Sequence, residues 1–65
     1  MEVKDIKANL NKPVIFDNSI YTLTGSTIRK KENGEIYYTA EILDKNKNSV
    51  CQVKLRDLKE MDAGV

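Results

Sequence analysis

Cys51 is the only thiol of the chain, and there is no His. A reactive thiol needs exposure and a nearby cation or helix N-terminus to hold it as thiolate. The alternation around Cys51 places it opposite Ile42 on an apolar face, where a Cys behaves as a small hydrophobe. A lone Cys makes neither an internal disulfide nor a cysteine-built zinc site. The carboxylates come next. Glu32 and Glu35 flank a turn, and Asp57, Glu60 and Asp62 lie near the C-terminus. Acid–base work needs two carboxylates facing each other across a cleft. A chain of 65 residues leaves little room for one. The segment 44–48 has oxygen ligands but lacks the spaced acids and closing Glu of a calcium loop. Gly25, in Leu-Thr-Gly-Ser-Thr, stands without the further glycines and Lys of a phosphate loop. The expectation is a protein that is not an enzyme, with no catalytic residue, metal or cofactor.

Binding chemistry has better material. Arg29, Lys30 and Lys31 form a basic run, and the strand pairing derived below sets Arg29 against Tyr37 and Thr39 beside Lys54. Aromatic side chains between cations are how small barrels hold single-stranded nucleic acid. Acidic neighbours oppose this. Residues 29–54 contain six basic and four acidic side chains, a local net charge of +2. Four apolar residues, Ile15, Ile20, Leu43 and Val50, fall on the face turned away from the core.

The elements that position these residues follow from the hydrophobic period. Val3, Ile6 and Leu10 recur at helical spacing, and Pro13 ends that pattern, so a short helix is expected over 2–10. Beyond Pro13 the period becomes two, and strands are expected over 13–16, 20–31, 35–44 and 49–55. Asp17-Asn18 suits a two-residue turn pairing Phe16 with Ser19 and Val14 with Tyr21. At Glu32-Asn33-Gly34, a three-residue loop with Gly34 in the left-handed region sets Ile28 against Tyr38 and Lys30 against Ile36. A two-residue turn would oppose Ile28 to Thr39, on the wrong face.

Tyr21 and Leu23 are odd-numbered core positions, whereas Ile28 is even. A bulge at about Gly25-Ser26 absorbs the extra residue and bends the strand. The last hairpin turns through Asn46-Lys47 or the wider 45–48, pairing Asp44 with Ser49, Ile42 with Cys51, Ala40 with Val53 and Tyr38 with Leu55. A helical turn over 56–61, with Leu58 and Met61 folding back, and a frayed 62–65 complete the chain.

The expected fold is mainly β: a single domain formed by a four-stranded antiparallel meander curled into a small SH3-like barrel, with a short N-terminal helix. The alternative is a flatter sheet packed by that helix. The expected core is Val14, Phe16, Tyr21, Leu23, Ile28, Ile36, Tyr38, Ala40, Ile42, Cys51, Val53 and Leu55. A chain this short buries about 60% of its unfolded surface, and its core gives roughly 3–5 kcal/mol of net stability. The net charge of +1 creates no overall field for nucleic acid or an anionic membrane. No apolar run approaches the roughly 20 residues of a membrane span, and the first residues lack a signal-peptide core. With a lone thiol, this points to the cytoplasm.

The segments Lys12-Pro13-Val14, Tyr21-Thr22-Leu23-Thr24-Gly25, Ile28-Arg29, Tyr37-Tyr38-Thr39-Ala40-Glu41-Ile42-Leu43-Asp44-Lys45-Asn46, Ser49-Val50 and Leu55-Arg56-Asp57-Leu58 resemble short uncharacterised proteins of conjugative and phage-related mobile elements of Gram-positive bacteria. The resemblance implies a bacterial, cytoplasmic, mobile-element protein and transfers no functional residue.

The functional expectation is an accessory interaction module. It binds a protein partner, or itself as a weak homo-oligomer, through the outer sheet face at Tyr37, Thr39, Leu43 and Val50. In this reading the N-terminal helix covers Ile15 and Ile20, while Leu43 and Val50 lie beyond its reach. The alternative is nucleic-acid binding through Arg29, Lys31, Tyr37 and Lys54. Neither expectation involves a membrane.

Overall fold

Pro13 has no amide hydrogen to give and starts a strand, so the helical segment must end before it. In the computed structural model, which describes residues 1–61, that segment is a 3-10 turn at Val3–Asp5 running into α1 (Ile6–Asn9). Asn11 then takes a positive φ of 64°. Its amide donates to the Leu23 carbonyl at 2.7 Å, and the Leu23 amide donates to the Lys12 carbonyl at 3.1 Å. Four strands follow: β1 (Pro13–Phe16), β2 (Ser19–Lys30), β3 (Ile36–Asp44) and β4 (Ser49–Lys54). A 3-10 turn at Leu55–Asp57 leads into a fifth, β5 (Lys59–Glu60).

The strands form one antiparallel sheet in the order β4-β3-β2-β1-β5. β4 and β5 are its two edges and do not pair with each other, so the sheet is open. β5 corrects the four-stranded expectation and the helical turn expected through Met61. The 3-10 turn lasts only three residues, Leu58 is extended (φ −91°, ψ 146°), and the chain joins the free side of β1 through Val14↔Glu60 and Ile15↔Lys59.

The turns follow their side chains. Asp17 and Asn18 both take positive φ, 51° and 63°, which the mirror-image hairpin turn demands. Phe16 faces Ser19 and Val14 faces Tyr21 as expected, and the Phe16 and Tyr21 rings meet edge to face at 6.1 Å. Gly34 has φ 89°, and the Lys31 amide donates to the Glu35 carbonyl at 2.8 Å. This closes the three-residue loop, with Ile28↔Tyr38 and Lys30↔Ile36 in register. The last hairpin uses the wider loop, 45–48. Asp44 Oδ1 accepts from the amides of Asn46 and Lys47 at 3.0 and 3.3 Å, a self-contained use for that carboxylate.

The bulge lies one residue earlier than expected. Leu23 faces Ile42 and Gly25 faces Glu41, leaving Thr24 as the extra residue. The Thr24 hydroxyl lies 3.1 Å from the Glu41 carbonyl and 2.8 Å from its Oε1, so the irregularity is held by a side chain. Gly25 is not forced by space, since an added Cβ would meet only Glu41 Cβ at 3.9 Å.

The core sits on the sheet face that carries Val14, Leu23, Ala40 and Ile42, all fully buried, with Leu55 and Leu58 covering it from the C-terminal segment. Met1, Ile6, Phe16, Tyr21, Tyr38 and Val53 pack around this cluster, half-buried. Three expected core residues do not belong to it. Ile28 is 65% exposed and Ile36 59%, and Cys51 is exposed. Their register is as expected, but the covering layer does not reach them. β2 runs for 12 residues, about 40 Å at roughly 3.3 Å per residue, along a molecule 38 Å in its longest dimension. Its far end therefore projects past the core, while Cys51 lies on the edge strand β4.

The helical stripe divides in the same way. Ile6 packs on the core, whereas Val3 and Leu10 are 47% and 39% exposed. Leu58 folds back as expected but Met61 stays exposed, and Leu55 enters the 3-10 turn without pairing with Tyr38. The expected frayed segment, 62–65, lies outside the described residues.

Candidate binding surfaces

The face opposite the core carries the residues proposed for binding except Lys31, which follows β2 in the loop, and the register orders them from one end to the other. At the loop end, Arg29 faces Tyr37, and Thr39 lies between Thr27 and Lys54. Glu41 and Gln52 form the middle row, and Leu43 lies between Thr22 and Val50 at the far end. Tyr37 and Leu43 are six residues apart on β3, about 20 Å at roughly 3.3 Å per residue. The four expected partner-binding residues therefore do not form one patch.

Thr39 is buried, and its hydroxyl lies 3.5 Å from Gln52 Oε1, which also accepts from Arg29 Nη2 at 3.2 Å. This side-chain chain ties β2, β3 and β4 together and leaves Thr39 only 9% exposed. Leu43 and Val50 instead adjoin Ile15 and Ile20, through Thr22 and the Ile15↔Ile20 pair. Ile20 is 60% and Val50 56% exposed, and Ile15 and Leu43 are half-buried. The N-terminal helix does not cover Ile15 and Ile20 as expected, because Ile6 anchors it on the core face.

At the other end the structure brings Lys31, Tyr37 and Lys54 to one groove, together with Met1, Glu2, Val3, Glu35, Tyr38, Leu55 and Arg56. The groove measures about 340 Å³ and its lining is mostly apolar. Lys31 Nζ lies 5.7 Å from the Tyr37 ring centroid and 3.5 Å from Glu35 Oε1. Of the alternative nucleic-acid residues, only Arg29 is absent from the groove, held instead by Gln52. The roles of Val3, Arg56 and Met1 have no signal in the sequence. They reach the groove because the 3-10 turn and the N-terminal segment converge at the start of β3.

Among the described residues, no group of three His, Cys, Asp or Glu could hold a metal ion, and no helix is long and apolar enough to cross a membrane. Compared with known proteins, the chain matches no family model, and no curated protein and no solved structure matches it.

Proposed function

We propose that this chain is a non-enzymatic interaction module that binds protein through its outer sheet face, with a second copy of itself as the first occupant to test. The observation that carries the reading is the apolar group of exposed Ile20 and Val50 with half-buried Ile15 and Leu43, on the face that the N-terminal segment leaves uncovered. The fold does not use these side chains to build its core, and exposed apolar clusters of this kind mark interaction sites. The cluster is small beside the roughly 800 Å² per partner of a stable interface, and association costs several kcal/mol of lost freedom, so the association is weak and reversible.

The resemblance to mobile-element proteins supports a bacterial, cytoplasmic setting for such an accessory module. An SH3-like barrel is the finer fold reading, supported by the strand order, the bulge that bends β2 and the 3-10 turn before β5. Amide contacts between β4 and β5 in a solution structure test its closure.

The function is tested by amide NMR spectra from about 20 µM to 1 mM, with sedimentation equilibrium over the same range. The Ile20, Leu43 and Val50 signals are expected to move with concentration, and Val50→Lys to abolish the movement. A monomer with static spectra at every concentration rejects self-association.

A second reading, single-stranded nucleic-acid binding, is favoured by one observation, the meeting of Lys31, Tyr37 and Lys54 in one groove. It requires affinity for oligonucleotides to fall with salt at a log–log slope of about −0.7 per phosphate contact.

A further inference from the structure

We propose that the groove between the N-terminal segment, the start of β3 and the Leu55–Asp57 turn binds a short extended peptide of another protein, one with apolar side chains next to a carboxylate. This site lies at the other end of the molecule from the Leu43–Val50 cluster and does not rest on the outer-face reading.

The apolar half of the argument is an unfinished core face. Along β3, Ile42 and Ala40 are fully buried, Tyr38 is half-buried and Ile36 is 59% exposed, all on one side of the strand. Ile28 faces Tyr38 across the strand pair and is 65% exposed. Leu55, Leu58, Ile6 and Met1 cover this side up to Tyr38 and stop. The groove begins there, with Tyr38, Leu55, Met1 and Val3 in its lining, and Ile28 and Ile36 lie next to Tyr38 on the same side of the sheet, outside that lining. An extended segment laid along it supplies a layer that the described residues do not provide.

The polar half is an unbalanced set of charges around an apolar floor. Of the two acids in the lining, Glu35 lies 3.5 Å from Lys31 and Glu2 lies 3.4 Å from Lys4. Among the described residues, Arg56 reaches only its neighbour Asp57, at 3.8 Å. Lys54 has no carboxylate within ion-pair distance among the described residues. A cation without a counter-ion beside apolar surface matches a ligand with one carboxylate near its apolar anchors. A polyanion fits less well. Glu2 and Glu35 would repel successive phosphates, and about 340 Å³ is near the lower end of small-molecule sites, enough for one or two side chains.

The test pans a random nonapeptide library displayed on phage over the full chain. Enriched peptides are then titrated into isotope-labelled protein at 0.15 M salt. Expected are sequences joining apolar residues to Asp or Glu, with shifts at Ile36, Tyr38 and Leu55. Affinity should fall at least tenfold in Lys54→Glu and in Ile36→Glu, and stay unchanged in Val50→Lys. Lys54, in the groove, and Ile36, beside it, are both exposed positions, and circular dichroism checks the folding of the variants. Lys54→Ala serves if either unfolds, with a smaller loss expected. No enrichment over blocked support, enriched peptides without an acidic residue, or shifts confined to Leu43 and Val50 would each overturn the site as proposed. So would an oligothymidine that binds at Tyr38 and Leu55 when no peptide does. The dilution series for the outer face contains no peptide, so either proposal can fail alone.

Discussion

The two halves of the β2–β3 hairpin are built alike and treated differently. In the near half, Leu23 and Ile42 face each other and are fully buried. In the far half, Ile28 and Tyr38 face each other in the same way, yet Ile28 is mostly exposed. Strand pairing sets which side of the sheet a residue faces. Burial needs a second layer, and here that layer is Leu55, Leu58, Ile6 and Met1. The layer ends where the 3-10 turn and the N-terminal segment end. A strand pattern thus carries information about facing that it lacks about cover.

The strongest way to break this comparison is to remove the cover. Leu58 is fully buried and is not part of the paired meander, so Leu58→Ala tests the second layer alone. A Leu→Ala change in a core costs about 2–5 kcal/mol. A domain this small has about 3–5 kcal/mol to lose, so the variant should be largely unfolded in urea well below the parent midpoint. A loss below about 1 kcal/mol would mean that the near half holds itself together without cover, and the contrast would fail.

A smaller effect separates the two glycines. Gly34 sits at φ 89°, where any side chain is strained, and Gly34→Ala should destabilise by about 1 kcal/mol or slightly more. Gly25 has a non-positive φ and room for a Cβ, so Gly25→Ala should lie within about 0.5 kcal/mol of the parent. Paired urea melts read both. Equal losses would mean that the bulge constrains Gly25 as much as the loop constrains Gly34, and the contrast between them would fail.

Much of this was legible in the sequence. Parity gave the pairs: a three-residue loop at Gly34 is the only short turn that brings Ile28 to Tyr38, and the parity change between Leu23 and Ile28 requires one extra residue. The exact site of that residue was not legible, because the Thr24 hydroxyl bonding to Glu41 leaves no mark in the pattern. β5 was hidden for a related reason. Two residues, Lys59 and Glu60, carry no alternation, and only the open side of β1 explains why they extend. The binding residues were legible as a face but not as sites. Tyr37 and Leu43 share a side of β3, and nothing local says that one ends in a groove formed by Leu55 and Arg56 while the other joins Ile15 and Ile20.

A test at the far end of the hairpin bears most directly on the comparison. Ile28 and Ile36 look like core residues by type, period and register, and each would cost about 2–5 kcal/mol as Ile→Ala if buried. Threonine keeps the β-branched shape that strands favour, so Ile28→Thr with Ile36→Thr leaves strand preference in place and removes mainly apolar surface. Both side chains are more than half exposed, so the double variant should shift stability by no more than about 1 kcal/mol. The peptide site should suffer more than the fold. It loses its apolar edge, and binding of any enriched peptide should weaken even though the urea midpoint hardly moves. A large stability loss would show that the far half is covered in solution, by folding over the groove or by a second copy. In that case its apolar face completes a core and is not held open for a partner.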